Sequence, residues 1–488
     1  MKKLLKSLKW FDNNILKILL VIFIIFIPLY PKLPMIDIEY TYIYIRFEDF
    51  FTALLCFVYF IQLLRKKVTI TNKVWIPIAL FWIADFASFL YAYKVIKTVP
   101  VGFIGLLHAA RRVEYMVIFI IATSLIKSTK DFWFYFRFIL GTLFLVGIYG
   151  VGQKLLGWPA VQTMNPEYAR GYILYLTPEA RISSTFAGHY DLASYIVFFI
   201  PIVIGYFLLK NKLRYFLLFV LSLVVLVFTA SRVSYIAYVA SIFPFLIFRK
   251  KPKLLLIVLV LTVALTFASN NLTSRLKRTF QVKRILVDEK TGAVYIPQTI
   301  TTKELPAGSY YWKLKNQTGS NLQGFKNNVI TNKQIEATKS GEKVNVASLQ
   351  ANLKPVNTIV SDISFATRLQ LEWPRAIKAF LYSPILGTGP SSITEATDND
   401  YLRWLGEFGL LGTSIFLFIL ISIGITVLKK ALEKNSKLSV LLWGYLFGFG
   451  ALMINASYID VFEASKMAFV FWLTSGIFVG LCQLDLKK

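Results

Sequence analysis

The sequence predicts an all-α polytopic membrane protein of about twelve transmembrane helices, with a large extracytoplasmic loop between helices nine and ten that carries a small β-rich insert. Three observations carry that expectation. Of 488 residues, 56% are hydrophobic and 16% charged, against roughly 45–50% and about 25% in soluble domains. The apolar residues fall in blocks of roughly 14 to 19 with little interior charge, which with interfacial flanks suits a hydrocarbon core about 30 Å thick. Lys and Arg gather in short clusters between those blocks, so the net charge of +28 reflects membrane topology and calls for no nucleic acid partner.

In chain order, Lys2, Lys3, Lys6 and Lys9 precede an apolar run at 15–30 that no small-residue cleavage site follows, which predicts a retained first helix. Further spans are expected at 50–64, 75–93, 113–126, 133–151, 192–209, 215–229, 235–248, 254–268, 410–428, 438–454 and 467–484. Alternate connections are basic: Arg65-Lys66-Lys67 with Lys73, Lys127 with Lys130, Lys210 with Lys212 and Arg214, Arg249-Lys250-Lys251 with Lys253, Lys429 with Lys430, Lys434 and Lys437, and Lys487-Lys488. These and both termini are expected on the cytoplasmic side. The opposite connections, 31–47, 153–191 and 269–409, are less densely basic and would hold the soluble mass outside. The expected division is therefore 1–268 as helices one to nine, 269–409 as the exterior loop, and 410–488 as helices ten to twelve.

Within that loop, alternating segments at 292–296 and 309–314 bounded by Gly, Asn and Pro suggest a β-rich unit over about 285–360. A disordered polar loop is the plain alternative, given the Asn, Lys and Thr content. No fixed-period repeat is visible. Cys56 and Cys482 both sit in apolar blocks, which offers neither a disulfide framework nor a thiolate metal site.

Charges inside or beside spans are costly and mark candidate sites. Arg46, Glu48 and Asp49 stand at the outer end of the second span, where a structural ion pair is the ordinary meaning. His108, Arg111, Arg112 and Glu114 enter the fourth span, and the paired arginines suit an anion site. The turn from Arg181 through Thr185, Gly188, His189 and Asp191 crowds hydroxyls and charges before the sixth span, as a polar pocket or as a solvated loop end. Ser231-Arg232 lies between spans seven and eight, where snorkelling to the interface is the alternative. Past the insert come Arg368, Glu372, Trp373 and Arg375, with Arg368 and Arg375 on one face if the helix runs through Pro374. Gly387 and Gly389 would let backbone N–H groups approach a ligand, although a Gly/Pro turn is the commoner meaning. Asp398-Asn399-Asp400-Tyr401-Leu402 and Gly406-Glu407-Phe408-Gly409 complete the set.

At these motifs the chain resembles the O-antigen ligase and polymerase superfamily. The likeness is carried by Arg-x-x-x-Thr-Phe leading to Leu-Ala at 181–193, Ser231-Arg232, Arg368 with Trp373, Pro-x-x-Gly-x-Gly at 384–389, and Asn399-x-Tyr401-Leu402 before Gly409-Leu-Leu-Gly412. It covers roughly 15–270 and 360–480 and leaves the insert outside. The resemblance implies a membrane glycosyltransferase of the bacterial cytoplasmic membrane, acting on its extracytoplasmic face in cell-envelope polysaccharide or lipopolysaccharide biosynthesis. Its donor would be a glycan on polyprenyl (undecaprenyl) diphosphate and its acceptor a glycan or lipid. One departure favours polymerase over ligase: the ligases carry His immediately before the Asn, and here that place is Asp398.

A diphosphate gains negative charge as it leaves, so arginines at the membrane surface would stabilise the transition state in place of a metal. Arg232, Arg368 and Arg181 are the first candidates to hold it, with Arg111 and Arg112 behind them. Asp398 is the first candidate base and His189 the second. Asn399, Tyr401, Trp373, Gly387 and Gly389 would support the acceptor or the loop. No cofactor is expected, although Asp398-x-Asp400 leaves a metal in view. A polysaccharide transporter and a protein-glycosylating oligosaccharyltransferase are the competing classes; the missing internal repeat argues against the former.

Overall fold

The computed structural model describes residues 2–38, 41, 44–70, 72–163, 171–177, 180–269, 271–273, 280–288, 294–295, 330, 353–361, 368–393, 397–433 and 437–484. They divide into two units, 1–273 with 367–488, and 274–366.

The first unit is helical: α1 (Lys2–Leu29), α2 (Phe47–Leu64), α3 (Trp75–Lys94), α4 (Gly102–Leu125), α5 (Thr129–Leu155), α6 (His189–Lys210), α7 (Leu213–Thr229), α8 (Arg232–Phe248), α9 (Pro252–Ala268), α10 (Trp373–Tyr382), α11 (Asp400–Ala431), α12 (Ser439–Ala456) and α13 (Ser465–Gln483). Among the described residues eight helices are long and apolar enough to cross a membrane: α1 (from Lys6), α2, α3, α5, α6, α11, α12 and α13. The protein is a multi-pass membrane protein. α7, α8 and α9 are apolar but shorter, and α4 is long but carries Arg111, Arg112 and Glu114. Each apolar block of the sequence lies on one of these helices.

Two helices start well ahead of their apolar blocks. α4 begins at Gly102 and α11 at Asp400, so His108–Glu114 is helix interior and 400–408, expected in the loop, is helical. Charge pairing accompanies both: Arg112 of α4 and Glu407 of α11 bury their ionic groups against each other, and hydropathy registers only the apolar remainder.

The apolar stretches of α13 and α6 are 94% and 83% buried, which explains why both read as apolar on every face. α13 packs on α4, α11 and α1, and α6 on α12, α7 and α8. The α6–α12 contact is backbone on backbone: a Cβ on Gly444 would stand 2.6 Å from the Pro201 carbonyl, and one on Gly205 2.9 Å from the Val440 carbonyl. α9, by contrast, buries only Val258 and Thr262.

Hydrogen bonds gather several helix ends at one end of the bundle. Thr185 donates to Pro28 O (2.6 Å), and Lys466 Nζ to Thr185 O (2.6 Å) and Pro28 O (3.2 Å). Ser465 donates to Glu48 (2.7 Å) and Ser234 to Asn455 (2.9 Å). The end of α1 and the starts of α2, α6 and α13 thereby meet, as do the start of α8 and the end of α12. Short antiparallel pairs, β1 (Pro34–Ile36) with β2 (Ile45–Arg46) and β3 (Ala160–Val161) with β4 (Ile173–Leu174), lie in the connections.

The second unit contains a three-stranded antiparallel sheet. β5 (Phe280–Asp288) pairs along its length with β7 (Leu353–Ser361), from Phe280↔Ser361 to Asp288↔Leu353, and at its far end with β6 (Val294–Tyr295). β6 falls in the alternating segment at 292–296; the segment at 309–314 lies outside the described residues.

Candidate functional site

A π-helical turn, Arg368–Glu372, leads into α10. Pro374 occupies the first turn of α10, where its missing N–H costs no hydrogen bond. The segment stays helical through Pro374, but the π turn changes the residue spacing, so the two arginines expected on one face are separated: Arg368 is buried and Arg375 exposed.

The Arg368 guanidinium pairs with the Asp398 carboxylate. Its carbon lies 4.2 Å from the Tyr458 ring centroid and 5.8 Å from that of Tyr190. Arg181 approaches the same Tyr190 ring at 5.7 Å. Trp373 meets Tyr458 edge-on at 6.1 Å. Arg232, at the start of α8, lies within electrostatic reach of Tyr458, whose hydroxyl is pushed up by burial and pulled back by Arg368 and Arg232. Arg181 and Arg368 thus share the Tyr190 ring, and Arg368 stacks on Tyr458 beside Asp398 with Arg232 in electrostatic reach of that tyrosine.

Burial pushes the Asp398 carboxyl up to about 7; Arg368 and Arg403 pull it down, while Asp460 and Glu372 add to the rise. At such a value the group takes and gives a proton near neutrality. The backbone of Asp398 is left-handed, with φ 51°. Directly after it, Asn399 caps α11, its side chain accepting from Leu402 N at 3.0 Å and donating to Ser457 O at 2.9 Å. Tyr401 donates to Met453 O at 2.9 Å. The Asn-x-Tyr motif is therefore a cap and a tie to α12, which is the loop-supporting half of what the sequence suggested.

The turn before α6 is built differently from an open pocket. Gln153 Oε1 accepts from Ser183 N (3.2 Å) and Ser184 N (2.7 Å), Ser184 donates to Val146 O (2.8 Å) and Thr185 to Pro28 O. Ser183, Ser184 and Thr185 are buried, so the hydroxyls of this turn face the scaffold. What it presents to the site is Arg181 and Tyr190, with His189 beside Tyr190 at 4.0 Å between ring centroids.

Arg111 and Arg112 are occupied elsewhere. Arg112 pairs with Glu463 (2.9 Å), Asp85 (3.4 Å) and Glu407, and its guanidinium stacks 4.3 Å from the Phe408 ring. Arg403 continues the chain to Glu407 (3.4 Å) and Asp460 (2.9 Å). Arg111 reaches Asp49 and Tyr44 O, each at 3.4 Å. This geometry makes Arg112 a strut among α3, α4 and α11.

The two glycines expected to approach a ligand approach backbone instead. Gly387 N donates to Ser383 O (2.9 Å), Thr388 N to Gly406 O (2.8 Å) and Gly389 N to Glu407 O (3.0 Å), so these donors are spent. Gly387 and Gly409 both have positive φ, 75° and 61°, and an added Cβ at either would strike the other strand's backbone. Gly409 breaks α11, and Leu410 N and Leu411 N donate to Pro384 O (2.8 Å) and Ile385 O (3.1 Å) across the break. The Pro-x-x-Gly-x-Gly segment is the splint of that break.

Residues 217–417 match the family model of the O-antigen ligases. The match begins inside α7 and ends inside α11, and it contains Arg232, Arg368, Gly387, Gly389 and Asp398. Arg181, His189 and Tyr190 on one side of it and Tyr458 and Asp460 on the other lie outside the O-antigen ligase match yet face the same place. No curated protein matches the chain.

Sequence reasoning passed over Tyr458, Asp460, Glu463 and Lys466. Two acids in the short connection before α13, and a lysine at the head of an apolar run, were the available signals. The intramembrane-charge rule applies to the lysine as it does to arginine.

Proposed function

We propose that this protein is a membrane glycosyltransferase that moves a glycan from a polyprenyl diphosphate onto a hydroxyl of a sugar or lipid acceptor. Both termini lie in the cytoplasm in this reading, and the Tyr190–Tyr458 site faces the extracytoplasmic side of a bacterial cytoplasmic membrane. The observation that carries it is the grouping of Arg181, Arg232 and Arg368 around Tyr190 and Tyr458 beside Asp398. Guanidinium groups gathered at one site repel one another, and an anion placed among them relieves that repulsion. A diphosphate has the charge and the oxygen geometry to do so.

In the proposed step the acceptor oxygen attacks the anomeric carbon, the bond from that carbon to the phosphate oxygen breaks, and the diphosphate leaves with the electron pair. The arginines meet the charge that develops there. Asp398, released from Arg368 as the diphosphate engages that arginine, takes the acceptor's proton. His189 is the alternative base, one residue from the ring shared by two arginines. The carboxylate at 398, where ligases place His, favours a polymerase, which extends a glycan by its own repeat.

The test uses the cell's own donor. Cells lacking the protein should accumulate a short glycan on polyprenyl diphosphate; that lipid, extracted and returned to the purified full chain, should be lengthened or transferred with release of polyprenyl diphosphate. Unchanged lipid-linked glycan in such cells, together with no turnover of the extract, would remove this reading.

A further inference from the structure

We infer that Asp460 is a positioning residue for Asp398: its carboxylate grips the chain on both sides of that residue and sets where the Asp398 side chain points. The inference rests on Asp398 being the proton acceptor, as read above.

Asp398 holds a left-handed backbone, φ 51°, which Asp tolerates better than most residues with a Cβ but which still gains from enforcement by its surroundings. Asp460 supplies the enforcement. Its Oδ2 accepts from Thr397 N at 2.8 Å and its Oδ1 from Asn399 N at 3.1 Å. Those are the backbone N–H groups of the residues before and after Asp398, so the one carboxylate closes a pincer around it. The pincer is itself held: Arg403, 1% exposed, reaches Asp460 Oδ2 at 2.9 Å, and Glu407, which also pairs with Arg112, holds Arg403 in turn. With the pincer closed, the Asp398 carboxylate meets Arg368.

The same carboxylate has an electrostatic effect. Arg368 and Glu372 face Asp398 from the π-helical turn, Arg403 from α11, and Asp460 from the connection before α13. The two arginines favour the ionised form, and the two acids favour the protonated form. Removing the Asp460 charge therefore leaves Asp398 ionised to lower pH, an effect that a residue serving the fold alone would not have.

The experiment measures kcat and KM against pH for the full chain with the extracted lipid-linked glycan, in D460N, D460E, D398N and D398N/D460N. D460N keeps one acceptor oxygen and loses the charge. Its kcat should fall by about tenfold or more, the size of one charge-assisted hydrogen bond. KM for the donor should stay put, and the acid limb of kcat/KM should move to lower pH. D460E should keep the wild-type limb with a reduced kcat. The double variant should be no slower than D398N, because both changes act through one group. A D460N enzyme with the wild-type acid limb, or a loss that adds to that of D398N, would reduce Asp460 to a fold contact while leaving Asp398 as the base. D398N at full rate would instead overturn the role of Asp398, and this inference with it. If D460N fails to accumulate in membranes, D460E decides, since a wild-type kcat there would show that the pincer's geometry is immaterial.

Discussion

Arg181 and Arg368 stand against the same ring, their guanidinium carbons 5.7 and 5.8 Å from the centroid of Tyr190. One arrives from the turn before α6 and the other from the π-helical turn before α10. A ring face orients a guanidinium by its plane and leaves the N–H edge to other partners. Tyr190 therefore fixes how far apart the two cations are, and with it the size of anion that can address both.

Arg368→Ala should cost about 3 kcal/mol of transition-state stabilisation, roughly a hundredfold in kcat. Lysine should restore part of it, because it returns the charge without the planar fork. Turnover of extracted lipid-linked glycan measures both, and an alanine variant at full rate would remove Arg368 from the diphosphate's partners.

The activity should fall on the acid side. Asp398 sits near 7 because burial opposes its charge, and a base works only when ionised, so kcat/KM should decline tenfold per pH unit well below about 7. Asp398→Asn should be slow and should lack that limb, with donor binding little changed. A wild-type profile flat from pH 5 to 8, within the range where a base of that kind titrates, would transfer the role to another group.

Arg112 carries stability. Its replacement by Met leaves Glu407, Glu463 and Asp85 without their shared cation, and breaking a buried ion pair by removing one partner costs about 3–5 kcal/mol. The detergent-solubilised protein should unfold at a clearly lower temperature than an Arg375→Met control, since Arg375 is exposed. Equal melting of the two would mean that the three acids find other partners.

The insert should be removable. Phe280 and Ser361 are ladder partners, so chain entering and leaving the sheet passes within about 5 Å. Replacing 281–360 by a short Gly/Ser bridge should keep measurable turnover, with acceptor choice the property to change. A deletion protein that inserts normally and has no activity would assign the sheet to the reaction itself.

Orientation has its own check. Single cysteines at Gly341 and Asn435 should be labelled by an impermeant reagent from opposite sides of the membrane, Gly341 from outside intact cells. Labelling of both from one side would overturn the twelve-span topology.

The helices were legible because hydropathy reports lipid and protein interior alike, so even α6 and α13, deeply buried, read as spans. The starts of α4 and α11 were not, since Arg112, Arg403 and Glu407 look solvated until their partners from other helices are known. In the site, Arg181, Arg232, Arg368 and Asp398 could be named from charge and motif. Their common ground could not: Tyr190 and Tyr458 are ordinary tyrosines in sequence and become informative only as the ring faces the arginines share. Gly387 and Gly389 stood open between a ligand loop and a Gly/Pro turn for a related reason. A glycine pair announces close approach, but whether the approaching atoms belong to a ligand or to residues 406–411 is decided by the fold.

The break at Gly409 divides α11 into two stretches with different surroundings. From Leu410 to Ala431 the helix is about 33 Å long at 1.5 Å per residue, by itself enough to cross the hydrocarbon core. The two turns before the break are thus surplus to anchoring, and they begin at Asp400, beside Asp398. Before the break, Arg403 and Glu407 are held by ion pairs to Arg112 and Asp460; after it, the stretch has the length of a span. A single helix therefore has two employments, a clasp beside Asp398 and a spar long enough to span, with the splinted glycine as the border between them.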